Sequence, residues 1–147
     1  MNGTRLSGFP PGELAAFAAA ALLAAVSGLG LAFYRYLATP EDPFAAVHPA
    51  LPFWQHFHVL AVPALVLLLG LAWARHVHPS WRARKPRRGS GWALGLLSLV
   101  MVLSGPWCQT ATSPWERKLA TVLHTASGIL WLCALAVHAL RRLKKAR

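Results

Sequence analysis

Four long hydrophobic stretches, separated by polar segments, dominate the chain. They run over about residues 13–37, 51–74, 91–107 and 119–140. Each is near the roughly 20 residues that an α-helix needs to cross the hydrocarbon core of a bilayer, although the third stretch is short. The pattern therefore predicts an all-α fold, an integral membrane four-helix bundle formed by a single transmembrane domain over residues 1–147.

Two local features refine this prediction. Pro63 lies inside the second stretch and is expected to kink that helix. Arg5 precedes an alanine-rich run, as in a signal peptide. The apolar run from residue 14 to 34 is longer than a typical cleaved segment, so we expect the first helix to be retained. No internal repeat is evident in the sequence.

Composition and charge agree with a multi-pass membrane protein. Hydrophobic residues make up 56% of the chain and charged residues only 13%, which excludes an ordinary soluble domain. The net charge of +11 comes from basic residues in the second connection and the C-terminal tail. The positive-inside rule then places both termini and the second connection in the cytoplasm. Binding to anionic lipid headgroups is an expected by-product, and nucleic-acid binding through residues 82–88 is a weaker interpretation.

Cys108 and Cys133 are the two cysteines of the chain, and they are expected to lie at different depths. The sequence contains no C-x-x-C-H, so covalent attachment of a c-type haem by that motif is excluded. It contains no C-x-x-C either, which argues against a disulfide-generating quinone enzyme. We interpret both cysteines as small apolar residues.

Histidines in the fourth stretch give the strongest indication of function. His124 and His138 are fourteen residues apart. In a helix they are separated by roughly 21 Å along the axis and by about 40° around it, so both rings lie on one face. Imidazoles inside a bilayer are costly and are usually functional. Two levels of histidine suit two haems, each with axial imidazole ligands.

The second stretch contains histidines at matching levels. His58 is predicted to lie at the depth of His124 and to share a haem with it. His76 is predicted to pair with His138, and His78 is the substitute for His76. The distance from His58 to His76 is roughly 27 Å along a helix, about 6 Å more than in the fourth stretch, so tilt or the predicted kink must absorb the difference.

The other histidines and several neighbouring residues receive secondary roles. His56 is predicted to lie on the opposite side of its helix, and His48 at the surface. Gly70 and Gly128 are expected to let the backbone approach a flat macrocycle. Basic residues near the span ends are candidate partners of haem propionates: Arg117 and Lys118 outside, Arg75 and Arg82 inside.

With His58, His124 and His138 in these positions, the chain resembles the small four-helix di-haem membrane cytochromes b that serve formate dehydrogenases and nickel–iron hydrogenases. The resemblance implies bis-histidine haem b, a non-catalytic role in respiratory electron transfer, and a place in the bacterial cytoplasmic membrane beside other redox subunits. In that family one haem often takes a ligand from the first helix. This chain has no histidine there, so its inner ligand must be His76 or His78.

The predicted function is electron transfer across the bilayer, linking a quinone pool to a redox partner. Arg75, His78 and Trp81 are candidates for a quinone pocket. The main alternative is a haem-free anchoring or assembly subunit. A transition-metal permease, or a stand-alone enzyme that oxidises superoxide and reduces quinone, are further alternatives. The acidic residues are expected outside the spans, which argues against a carboxylate relay.

Overall fold

The computed structural model describes residues 10–42, 44–82 and 89–146, and all regular structure in these ranges is helical. A π-helical segment, Trp73–Val77, lies between the second and third α-helices. The α-helices are α1 Pro11–Tyr36, α2 Leu51–Ala72, α3 His78–Arg82, α4 Gly89–Thr110 and α5 Pro114–Ala146.

Four helical stretches are long and apolar enough to span a membrane. They are Pro11–Tyr36, Leu51–Ser80, Gly89–Thr110 and Pro114–Arg141. Most of their large apolar side chains are exposed in the isolated chain, which is what helices that face lipid require. The prediction of an all-helical, multi-pass membrane protein is confirmed.

The chain divides into two compact units, Met1–Lys85 and Pro86–Arg147. In the first unit α1 packs along α2, and in the second unit α4 packs along α5. The boundary between the two units lies, along the sequence, in the basic second connection. Among the basic residues on which the predicted topology rests, five lie outside the described residues: Arg84, Lys85, Arg87 and Arg88 in the connection and Arg147 in the C-terminal tail.

Small residues line the face that α1 presents to α2. Ala20, Ala21, Ala24 and Ser27 are buried at helical spacings of three and four. Because lipid is as apolar as the helices themselves, membrane helices associate through close packing of small side chains and through hydrogen bonds between them. The alanine-rich sequence of α1 therefore serves helix association as well as helix formation.

The start of α5 lies five residues earlier than the hydrophobic pattern predicts. Ser113 Oγ accepts the backbone N–H of Glu116 at 3.2 Å, and Glu116 Oε2 accepts the backbone N–H of Ser113 at 3.3 Å. These reciprocal bonds form a capping box, and Pro114 occupies the first helical position. The sequence Ser-Pro-Trp-Glu carries this signal, which hydrophobicity alone does not detect.

The second span contains an irregular segment near its end. α2 continues through Pro63 to Ala72, and Trp73–Val77 then forms the π-helical segment. In a π-helix each backbone hydrogen bond spans one more residue than in an α-helix, which changes the face on which later residues lie. His76 is in this segment, so its position relative to His58 differs from that expected for a regular helix.

Candidate functional site

In the first unit, His58 of α2 is hydrogen-bonded to Ser27 of α1. The Nδ1 atom of His58 is 2.9 Å from the Oγ atom of Ser27, which is fully buried. Ser27 Oγ also lies 2.7 Å from the carbonyl oxygen of Leu23 and donates to it. A serine hydroxyl has one proton, and its short bond to Leu23 favours Ser27 as the acceptor of a hydrogen bond from Nδ1 of His58.

Gly28 closes the space beside the same ring. A Cβ atom on Gly28 would lie 3.0 Å from Cε1 of His58 and 3.4 Å from Nδ1. The imidazole therefore packs directly over the backbone of α1. Any larger residue at position 28 would require the ring to move.

The second unit repeats this arrangement. His124 of α5 has its Nδ1 atom 3.0 Å from Oγ of Ser104 in α4. Ser104 Oγ donates to the carbonyl oxygen of Met101 over a longer distance of 3.4 Å. A Cβ atom on Gly105 would lie 3.4 Å from Cε1 of His124. In both units, a buried serine followed by glycine faces the ring of one histidine.

Other positions also correspond when Ser27 is aligned with Ser104 and His58 with His124. Trp131 Nε1 donates to Ser98 Oγ at 2.8 Å in the second unit. The equivalent positions in the first unit are Leu65 and Ala21, and both are buried. A polar pair of side chains thus takes the place of an apolar pair.

At a third pair of equivalent positions, the large and the small side chain are exchanged between the two helices. Gly30 in α1 lies against the indole ring of Trp54 in α2. The equivalent positions in the second unit hold Trp107 and the fully buried Ala120. The two units therefore differ at these positions, although the contacts around the histidines are repeated.

His138, the second candidate ligand of α5, also contacts a serine. Its Nδ1 atom is 3.2 Å from Oγ of Ser90 in the first turn of α4. At the equivalent positions the first unit has Glu13 and Ala72 in place of the serine and the histidine. The first unit therefore has no counterpart of this serine–histidine pair at positions 13 and 72.

The other histidines between residues 51 and 80 differ in how far they are exposed. His76 is half-buried in the π-helical segment, one turn beyond the position equivalent to His138. His56 and His78 are exposed. The half-buried His58 is thus less exposed than His56, and His76 is less exposed than its substitute His78.

His48 lies in an aromatic cluster near the connection between α1 and α2. Its ring is 4.6 Å from that of Tyr34, which stacks on Trp54 at 6.1 Å. Nδ1 of His48 accepts the backbone N–H of Ala50 at 3.1 Å, so its proton is on Nε2 in the neutral form. His48 is half-buried, and the prediction of a surface residue holds only in part.

Glu13 corrects the expectation that the acidic residues lie outside the spans. It is in the first turn of α1, within the first candidate span, and forms an ion pair with Arg75 of the π-helical segment. Arg75 is therefore already paired with a carboxylate. The N-terminal turn of a helix favours a negative charge, which accounts for Glu13 at this position.

The two glycines suggested by the sequence do not contact the histidine rings. A Cβ on Gly70 would meet nothing within 4 Å, and one on Gly128 would meet only Cε of Met101, at 4.0 Å. The glycines beside the rings are Gly28 and Gly105. Sequence reasoning missed them, together with Ser27, Ser104 and Ser90. The repeated Ser-Gly dipeptide was the available signal.

The remaining candidate residues from the sequence are Arg117 and the two cysteines. Arg117 donates through Nη2 to the carbonyl oxygen of Ala111 at 3.4 Å. Cys108 and Cys133 are not joined in a disulfide. Among the described residues, no group of three or more His, Cys, Asp or Glu side chains is placed to hold a bare metal ion.

Comparisons with known protein families, with curated proteins and with solved structures yield no match for this chain. The site therefore has to be interpreted from its own geometry.

Proposed function

We propose that this protein is a membrane b-type cytochrome. It carries electrons across the bilayer through bis-histidine haems and links a quinone pool to a redox partner. The residues proposed to hold the haems are His58 and His124 for the outer haem and His76 and His138 for the inner haem. The proposed location is the bacterial cytoplasmic membrane, within a respiratory complex and with both termini in the cytoplasm.

The observation that carries this proposal is the serine contact of three proposed ligands. His58, His124 and His138 each have Nδ1 within hydrogen-bonding distance of a serine on the neighbouring helix. A histidine that binds a metal through one ring nitrogen almost always donates its other N–H to a fixed acceptor. The geometry of these side chains fits that requirement.

The depth of these residues gives a second line of support. His58, His124 and His138 all lie within helices that are candidates for spanning the membrane. His58, His124 and His138 would each provide an imidazole to hold a haem, which would supply an iron centre that gains and loses one electron. The serines of the neighbouring helices orient these imidazoles.

The haem propionates and the quinone need polar partners nearer the membrane surface. Among the candidates for a quinone pocket, His78 is exposed and Arg75 is paired with Glu13. The side chain of Trp81 lies outside the described residues. His78 is therefore the better candidate donor to a quinone, unless it replaces His76 as a ligand.

The test is a haem count on the purified protein, made with ample haem supply. A pyridine haemochrome assay and a reduced-minus-oxidised spectrum should show two b-type haems per chain. His58→Ala and His124→Ala should each lose one haem. His56→Ala, two residues from His58 and exposed, is the matched control and should retain both.

The inner site is tested by His138→Ala, His76→Ala and His78→Ala. Loss of one haem in His138→Ala and in either of the other two identifies the inner ligands. A wild-type protein with one haem would contradict the inner site. A wild-type protein with no haem would contradict the cytochrome proposal.

A haem-free anchoring or assembly subunit is the second candidate. The same hydrogen bonds that orient a ligand also satisfy a buried histidine in a protein without a cofactor. If no haem is found, the serine–histidine pairs are interpreted as helix-packing contacts, and the anchoring subunit becomes the leading proposal.

A further inference from the structure

The two histidines proposed for the outer haem have equivalent surroundings in different units. Each ring contacts a buried serine through Nδ1, and each packs over the glycine that follows that serine. The serine precedes the histidine by 31 residues in the first unit and by 20 in the second. The arrangement therefore recurs despite connections of different length, which indicates a shared requirement.

The bond made by the hydroxyl proton of each serine determines whether the serine donates to the imidazole or accepts from it. Ser27 donates to Leu23, one turn earlier, and Ser104 donates to Met101. With its proton engaged by Leu23, Ser27 can only accept a hydrogen bond from the imidazole. Ser104 is 3.4 Å from the carbonyl oxygen of Met101, and that carbonyl also accepts a hydrogen bond from His124, so the second unit likewise favours a ring that donates. The proton of the neutral ring is thereby held on Nδ1, and the lone pair is on Nε2.

We propose that Ser27 and Ser104 are positioning residues that fix His58 and His124 in the Nδ1–H tautomer, so that each unit presents Nε2 for a metal. The assignment of that metal as haem iron rests on the proposed function. The tautomer itself follows from the serine contacts and can be measured without haem.

The glycines restrict the orientation of the rings. The Cε1 edge of His58 lies over Gly28, and that of His124 lies over Gly105, at distances where an added Cβ would already be in contact. The hydrogen bond fixes one edge of each ring and the helix backbone limits its rotation. Two constraints on one ring define the direction of Nε2, which axial ligation requires.

The first test measures the tautomer in the full-length chain. Protein labelled with nitrogen-15 at histidine and prepared without haem is examined by NMR, with His58→Gln and His124→Gln to assign the signals. In the wild type, both histidines should show a protonated Nδ1 and an unprotonated Nε2. Ser27→Ala should convert His58 to a mixture of tautomers and leave His124 unchanged, and Ser104→Ala should do the reverse.

Ser127→Ala is the matched control. Ser127 is a buried serine in α5 that donates to the backbone carbonyl of His124 at 3.1 Å and has no bond to the ring. Its removal costs a buried serine hydrogen bond in the same unit. It should leave the tautomers of both histidines unchanged.

The second test uses the haem-loaded protein. A hydrogen bond that Nδ1–H donates makes Nε2 a more basic ligand, and a more basic ligand favours the oxidised iron. Loss of the bond in Ser27→Ala or Ser104→Ala should therefore raise the midpoint potential of the outer haem. Ser127→Ala should leave the potential at the wild-type value.

The outcomes separate this inference from the proposed function. A wild type without haem but with both Nδ1–H tautomers would contradict the cytochrome and support the serine role. A wild type with haem, whose tautomers and potential do not respond to Ser27→Ala and Ser104→Ala, would overturn the serine role and support the cytochrome. Because the two variants lie in separate units, a failure of one to fold leaves the other as a test.

Discussion

Gly30 of α1 lies so close to Trp54 of α2 that a Cβ at position 30 would overlap the indole ring. Trp54 also stacks on Tyr34, one turn after Gly30 on the same helix. The contact brings the backbone of α1 against an aromatic side chain near the end of the span. Close packing of this kind is a main source of association between membrane helices.

The Gly30→Ala variant is expected to destabilise the first unit. The indole must move to make room for the methyl group, and overpacking of this kind typically costs about 1–3 kcal/mol. The measurement is the free energy of unfolding in detergent. Gly70→Ala is the control, because a Cβ there meets nothing within 4 Å. Equal stability of the two variants would contradict the packing described here.

The hydrogen bond from Trp131 to Ser98 is expected to stabilise the second unit. Trp131 is 2% exposed, so its indole N–H has little access to other partners if Ser98 is removed. A double-mutant cycle with Ser98→Ala and Trp131→Phe should give a coupling of about 0.6 kcal/mol, the average for hydrogen bonds between membrane helices, and at most about 1.7 kcal/mol. A coupling of zero would show that the bond contributes nothing to stability.

The capping box of α5 is expected to contribute to the stability of that helix. Ser113→Ala removes the acceptor for the N–H of Glu116, and losing such a cap typically costs about 1 kcal/mol. Ser113→Asp keeps an acceptor at this position and should retain most of the stability. Thermal unfolding followed by circular dichroism compares the two variants. If alanine and aspartate behaved alike, the cap would be energetically silent.

The orientation in the membrane is predicted from the distribution of basic residues. In a Cys108→Ser, Cys133→Ser background, single cysteines replace Asp42 in the first connection and Lys144 near the C-terminus. Both positions are exposed. A membrane-impermeant maleimide should label position 42 only from outside and position 144 only from the cytoplasmic side. Labelling of both from the same side would rule out the predicted arrangement.

Much of the helical structure could be predicted from the sequence. Helix length and hydrophobicity are properties of consecutive residues, so the four spans appear in the hydrophobic pattern with nearly the observed bounds. Their ends were less accurate, because the cap at Ser113 and the π-helical segment at Trp73–Val77 depend on local hydrogen bonding. The spacing of His124 and His138 on one helix is likewise a local property and followed directly from the sequence.

Which residues contact His58 and His124 was determined by the tertiary structure. Ser27 and His58 are 31 residues apart, and Ser104 and His124 are 20 apart, so only the packing of neighbouring helices brings each pair into contact. The surroundings of each glycine also depend on this packing, because Gly28 and Gly105 are beside the histidine rings whereas Gly70 faces open space. A sequence specifies which side chains share a helix face, but the contact made by that face depends on how the helices pack.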